Sequence, residues 1–79
     1  MKVPRSVSAK ELIRKLKPFG YEPTRQTGSH IRLTTEQNGS HHITIPNHDP
    51  IRVGTFSAII SDVAQHFGKT KQELLDELF

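Results

Sequence analysis

The chain has 79 residues, of which 33% are hydrophobic and 24% charged, with no cysteine and a formal net charge of +3 at pH 7. This length predicts one domain with a thin core, so any site should be an open face or a shallow groove. The lack of cysteine excludes a disulfide scaffold, a cysteine zinc site and a thiol nucleophile, and no apolar run is long enough for a membrane span or a signal peptide. We therefore expect a cytoplasmic protein. Its charge indicates either a polyanionic partner or simply a basic surface.

The first predicted helix covers about residues 9–18 and follows a lead-in at residues 1–7. Ser8-Ala9-Lys10-Glu11 has the form of a capping box, which is typical of a helix start. Gly20 supplies a left-handed stop. One apolar stripe along this helix is formed by residues at spacings typical of a helical face: Leu12, Ile13, Leu16 and Phe19.

Three strands are expected next. Residues 21–26 predict an edge or irregular strand, because Pro23 cannot donate a hydrogen bond to a neighbouring strand. Thr27-Gly28 indicates a turn. Residues 31–34 and 42–45 then alternate apolar with polar side chains, as half-buried strands do.

The pairing of the last two strands follows from packing. A two-residue loop would place Leu33 opposite Thr44, whereas a three-residue loop at Gln37-Asn38-Gly39 places Leu33 opposite Ile43. The second arrangement pairs apolar residues, and we predict it. Its polar face then carries His30, Arg32 and His42, with His48 near the edge.

Two helices complete the chain. Phe56, Ile59, Ile60, Val63 and Phe67 mark one helical face, with Thr55 as the expected N-cap and Gly68 as the stop. Thr70-Lys71-Gln72-Glu73 is a second capping-box pattern, which opens a short helix at about residues 71–78. We expect the tyrosine and the phenylalanines to belong to the core. The order α-β-β-β-α-α predicts an α+β fold, a three-stranded antiparallel sheet with helices packed on one face.

This order of elements, with Gly28-Ser29-His30 opening the second strand, resembles the HicA toxins, small mRNA interferases with a double-stranded-RNA-binding-like fold. The resemblance covers about residues 8–67. Within one domain at 1–79, the final helix at 71–78 lies beyond that core and could cover a face, form a dimer contact or be an addition. The matching pieces are Phe19-Gly20-Tyr21, Arg25 to His30, Ile43 to His48 and Gly54-Thr55-Phe56.

The resemblance implies an endoribonuclease that cleaves mRNA and needs no bound metal or other cofactor. It implies that His30 is the essential residue. It also implies that a HicB-like antitoxin, encoded beside the toxin, holds it inactive. The sequence leaves the oligomeric state of the toxin alone undetermined.

His30 could act as general acid or base in attack of a ribose 2′-hydroxyl on the adjacent phosphate, since an imidazole titrates near neutral pH. The alternative is an ordinary surface histidine on a strand. Such cleavage usually uses a second proton-transfer partner, for which His48 is a better candidate than His42; His48 could equally order the loop after Pro46. Ser29 could donate a hydrogen bond to a phosphate, or it could stiffen the turn beside Gly28.

Several cations could contact RNA phosphates, or each could simply belong to a solvated face: Lys10, Arg14, Lys17, Arg25 and Arg32. Arg32 is the strongest candidate because it shares the face of His30. The aromatic content of 6% argues against recognition of single strands by stacking. A metal site is not expected, because the neighbours His41 and His42 point to opposite faces of a strand.

Three hypotheses result. The leading one is a metal-independent ribonuclease toxin of HicA type. The alternative is a non-catalytic RNA-binding module on the same double-stranded-RNA-binding-like fold. The third is a protein that binds only other proteins, which would have no affinity for RNA at low salt.

Overall fold

The computed structural model describes residues 6–79, so most of the predicted lead-in, residues 1–5, lies outside the described part of the chain. Within it, the α+β prediction is confirmed: one helix, three antiparallel strands and two helices follow in that order. The elements are α1 (Ala9–Leu16) with a 3₁₀ turn (Lys17–Phe19), β1 (Glu22–Thr27), β2 (His30–Thr35), β3 (His41–Pro46), α2 (Val53–His66) and α3 (Lys71–Leu78).

The ends of α1 follow the sequence signals, although of the predicted capping box only the hydrogen bond to the Ser8 side chain is found in residues 6–79. The Ser8 hydroxyl accepts a hydrogen bond from the Glu11 amide at 3.1 Å, and Pro18 lies in the 3₁₀ turn that closes the helix. Gly20 has a φ of 84°, and a Cβ there would lie 2.6 Å from the Thr35 hydroxyl. Both the backbone angle and the space therefore require glycine at this exit.

The sheet has the order β1-β2-β3, and its register confirms the three-residue loop: Leu33 lies opposite Ile43 and Ile31 opposite Ile45. Leu33, Ile43 and Ile45 are buried beneath the helices, which pack on this face alone. β1 is exposed along its whole length and carries a bulge between Pro23 and Arg25, which confirms the irregular edge strand.

The start of α2 differs from the sequence prediction. The expected N-cap at Thr55 is wrong: the helix begins at Val53, and Arg52 caps it without a side-chain hydrogen bond. The buried Ile51 donates its amide hydrogen to the Val7 carbonyl at 2.8 Å. Because this contact fixes the chain just before Arg52, the helix starts there and Thr55 falls in its first turn.

The C-terminal helix α3 packs on α2 and covers the core. Its three leucines, Leu74, Leu75 and Leu78, are buried, each contributing about 1.5–3 kcal/mol on burial. The Thr70 capping box is confirmed by both of its hydrogen bonds.

Phe79 corrects the expectation that all phenylalanines are in the core. It is 41% exposed and edge-on to Phe56, because it lies past the last buried turn of α3. None of the helices described in residues 6–79 is both long and apolar enough to span a membrane.

Candidate active site

The face of the sheet that the helices leave uncovered is polar and carries a shallow groove around His30. Ile31 and Leu33 of β2 point towards the helices, so His30 and Arg32 point to the open side. The groove measures about 200 Å³, and it is lined by Arg25, Thr27, His30, Arg32 and Thr44.

Two arginines meet in this groove. Arg25 on β1 lies directly opposite Arg32 on β2, and it reaches that position because the bulge shifts the register after Pro23. Like charges placed opposite each other on a sheet destabilise it. No carboxylate lines the groove, and neither arginine forms an ion pair with any residue described in 6–79. The groove therefore has the charge of an anion site.

The turn before His30 is held by backbone contacts. Gly28 adopts a φ of 57°, and nothing lies within 4 Å of a Cβ built there, so its backbone angle is the reason for glycine. The Ser29 carbonyl accepts a hydrogen bond from the Asn47 amide at 2.6 Å. Ser29 thus connects the turn to the chain leaving β3 through its backbone.

The structure brings the segment of His48 close to His30 without bringing the His48 side chain into the groove. His30 lies opposite Pro46, two residues before His48. The His48 carbonyl accepts a hydrogen bond from the Ala9 amide at 3.1 Å, while its side chain is exposed and does not line the groove. The backbone of His48 therefore orders the loop and holds the start of α1.

The five predicted cations fall on two surfaces. Arg25 and Arg32 lie with His30 on the open face of the sheet. Lys10 and Arg14 lie on α1, and Lys17 lies in the 3₁₀ turn that follows it. These three line a separate groove of about 660 Å³ with Ser8, Glu11 and Ile13. The first set lines the groove of His30 and the second does not.

A second polar cluster lies on the helix side of the sheet and was not predicted. The Tyr21 hydroxyl is 2.7 Å from His41 Nδ1, and His41 Nε2 is 3.2 Å from Asp62 Oδ1. The His41 ring stacks on His66 at a centroid distance of 4.4 Å. Burial, and secondarily the charge of Asp62, raise the pKa of Tyr21 to about 12.

His66 in this cluster connects α2 to the hairpin between β2 and β3. Its Nε2 donates to the carbonyls of Gln37 at 2.9 Å and Gly39 at 3.1 Å, while the Asn38 side chain donates to the His66 carbonyl at 2.7 Å. Strand alternation could have placed His41 on the helix side, but its partners depend on how α2 docks. Within residues 6–79, no group of three or more histidine, aspartate or glutamate side chains is arranged to hold a metal ion.

Comparison with known proteins identifies a family to which the chain is similar. The family model described as HicA toxin of bacterial toxin-antitoxin matches residues 9–64, well over half of the chain. The match begins with α1 and ends in α2, so it contains the whole sheet and the groove around His30. No curated protein and no solved structure gives a significant match to the chain.

Proposed function

The chain belongs to the HicA toxin family of bacterial toxin–antitoxin systems, and on that basis we propose that it is a metal-independent endoribonuclease that cleaves mRNA at His30. One observation carries the proposal: His30 shares its groove with two opposed arginines and with no carboxylate. A phosphodiester between the two guanidinium groups would relieve their repulsion through charge-assisted hydrogen bonds.

The reaction we propose needs two proton transfers and no bound metal. A base takes the proton of a ribose 2′-hydroxyl, whose oxygen attacks the adjacent phosphorus. The bond to the 5′-oxygen of the next nucleotide breaks, and that oxygen takes a proton, which leaves a 2′,3′-cyclic phosphate and a 5′-hydroxyl. His30 performs one of these transfers, and its partner is water in the groove or His48 after its exposed side chain turns towards the groove. Arg25 and Arg32 stabilise the extra negative charge on the phosphorus oxygens in the transition state.

The remaining parts of the proposal concern the inhibitor of this activity, its location in the cell, the extent of the domain and the cations outside the His30 groove. A HicB-like antitoxin encoded beside the toxin would inhibit it, and the site of action would be the cytoplasm, where mRNA is translated. Residues 1–79 would form one domain, with a core at 8–67 and the helix at 71–78 appended. Lys10, Arg14 and Lys17 would contact phosphates of longer RNA outside the His30 groove.

The test is cleavage of an end-labelled RNA by the purified protein and by His30→Ala, each with excess chelator. We expect the native protein to cut in chelator and His30→Ala to be slower by at least about 100-fold, since general acid–base catalysis contributes roughly that factor or more. Equal thermal unfolding midpoints would establish that His30→Ala is folded.

Each part of the proposal has its own contrary result. Native-rate cleavage by His30→Ala would remove His30 from the reaction, and loss of cleavage in chelator would remove the metal-free mechanism. RNA binding without cleavage by the native protein would favour the alternative, a non-catalytic RNA-binding module. Equally, no affinity for RNA at low salt would indicate a protein that binds only other proteins.

A further inference from the structure

His42 is an exposed histidine on the same open face as His30, and its ring is held in place. The Thr34 hydroxyl lies 2.8 Å from His42 Nδ1 and 3.0 Å from the Thr24 hydroxyl, which is 3.4 Å from the Arg32 carbonyl. This chain of hydrogen bonds occupies Nδ1 and leaves Nε2 and the face of the ring for a ligand. An exposed side chain with this support is oriented before anything binds to it.

His42 is too far from His30 to act on the same phosphodiester. His30 lies opposite Pro46, Arg32 opposite Thr44, and Thr34 opposite His42, so the two histidines are four residues apart along the strands. Four residues of strand span about 13 Å. Two groups that transfer protons at one phosphorus must each lie within hydrogen-bond distance of an oxygen on that phosphorus, about 3 Å, or reach it through one water molecule. His42 therefore has no direct part in the proton transfers.

The surroundings of His42 fit a nucleobase better than a phosphate. The residues beside it on this face, Thr24 and Thr34, are uncharged, and Glu22 lies opposite Thr34 on β1. A carboxylate there repels a phosphate, whereas hydroxyl groups and an imidazole ring can hydrogen-bond and stack on a base. Both arginines that suit a phosphate line the groove of His30, which His42 does not line, although Arg32 is two residues from Thr34 as well as two from His30 along β2.

We propose that His42, positioned by Thr34, forms a base-binding subsite for the RNA strand that is cleaved at His30. The inference rests on the proposed ribonuclease function. A stacked strand advances about 3.4 Å per nucleotide and an extended one more, so about 13 Å corresponds to roughly two to four nucleotides. The base bound by His42 thus lies two to four nucleotides from the bond that is cut. This subsite would supply sequence or length preference, because contacts with bases specify and contacts with phosphates position.

The test measures binding separately from cleavage. RNA oligonucleotides of eight or so nucleotides, intact or lacking one base at successive positions, are titrated into His30→Ala and into His30→Ala with His42→Ala. We expect His42→Ala to weaken binding of the intact RNA about fivefold to tenfold, as loss of one stacked base does. At one position, removing the base should weaken RNA binding to His30→Ala by the same factor. The same abasic RNA should bind the double variant as well as the intact RNA does, because two changes that remove one contact do not add.

Cleavage by proteins with His30 intact gives the second readout. His42→Ala should raise KM for the long RNA with kcat within about twofold, and it should leave a dinucleotide substrate unchanged. Thr34→Val keeps the shape of the side chain and removes the hydroxyl. It should also raise KM for the long RNA, by less than His42→Ala does.

The outcomes distinguish this inference from the function on which it rests. If the native protein cuts RNA, His30→Ala does not, and no abasic position shows coupling to His42, the subsite is overturned and the ribonuclease stands. If coupling is found but no protein cuts RNA, the subsite stands as a binding contact and the ribonuclease falls. A kcat loss of tenfold or more in His42→Ala on the dinucleotide would overturn the assignment to a remote subsite.

Discussion

Arg25 on β1 and Arg32 on β2 lie opposite each other beside His30, and this arrangement costs stability in the free protein. Arg25 and Arg32 are exposed and opposite, so solvent and salt screen their repulsion without removing it. A site that binds an anion keeps such a pair because the ligand relieves the repulsion. Stability and binding should therefore respond to its removal in opposite directions.

Arg25→Gln tests whether stability and RNA binding change in opposite directions. We expect the free energy of unfolding at low salt to rise by a few tenths of a kcal/mol, and RNA binding to weaken with a salt dependence shallower by about 0.7 per charge removed from a single-strand site. Urea unfolding and RNA titration at several salt concentrations measure the two effects. Lys15→Gln is the matched control, because Lys15 lies over the Phe79 ring, away from the groove. Unchanged salt dependence in Arg25→Gln would contradict a phosphate contact at Arg25.

Tyr21 gives a prediction for alkaline pH. Its pKa is about 12 in the folded protein and about 10 when unfolded, so the folded state favours the protonated phenol. The resulting stabilisation is complete below pH 10 and is lost as pH rises from 10 towards 12. Between these limits the native protein should lose up to roughly 2 kcal/mol more than Tyr21→Phe, which has no phenol to titrate.

Urea unfolding of both proteins from pH 9 to 11.5 measures this difference and cancels the titration of the lysines that they share. At pH 8, Tyr21→Phe should be less stable by about 1–3 kcal/mol, because His41 Nδ1 loses its hydrogen-bond partner. Parallel pH curves for the two proteins would show that Tyr21 titrates normally and that its burial has no effect on its ionisation.

At the scale of elements, α3 depends on its capping box. The Glu73 amide donates to the Thr70 hydroxyl at 3.1 Å, and the Thr70 amide donates to the Glu73 carboxylate at 2.7 Å. The hydrogen bond that the Glu73 carboxylate accepts from the Thr70 amide, and secondarily the Thr70 side chain, lower the pKa of Glu73. Stability from the ionised Glu73 is therefore present above its ordinary pKa of about 4.5 and is lost as pH falls through the lower folded value.

Thr70→Ala should cost about 1 kcal/mol at neutral pH, as the loss of a helix N-cap typically does. It should also reduce the fall in stability between pH 5 and pH 3, because part of the interaction that lowers the Glu73 pKa is gone. Chemical unfolding across this pH range is the measurement, with Gln72→Ala at an exposed position of the same helix as the control. An equal loss in the two variants would indicate that helix propensity and not capping supports α3.

For the whole molecule, local pattern predicted most of the fold and which strand residues share the open face of the sheet. Pairing of Leu33 with Ile43 was sufficient to set the hairpin register, and that register put His30, Arg32 and His42 on one face. Alternation cannot predict a bulge, so the position of Arg25 opposite Arg32 required the structure. In the same way, the start of α2 depends on a backbone contact between Ile51 and Val7, which are far apart in sequence.

The polar cluster on the helix side was missed for a related reason. His41 lies on β3 and Asp62 lies on α2, and no periodicity relates the phases of a strand and a helix. Their contact depends on the position of α2 along the sheet. Core packing and the hydrogen bonds of His66 to the hairpin fix that position. The residues of this cluster can be read from the sequence, but the distances between their side chains cannot be predicted from it.

The two backbone contacts beyond β3 have a consequence for how the molecule opens. The Asn47 amide donates to the Ser29 carbonyl in the turn before His30, and the His48 carbonyl accepts from the amide of Ala9, the first residue of α1. Two segments that are distant in sequence are therefore joined to one two-residue stretch. Fluctuations that expose this stretch must release the turn and the helix start together, as one cooperative unit in hydrogen exchange. Substitutions in the first turn of α1, outside the groove of His30, would thus alter how rigidly His30 is held in that groove.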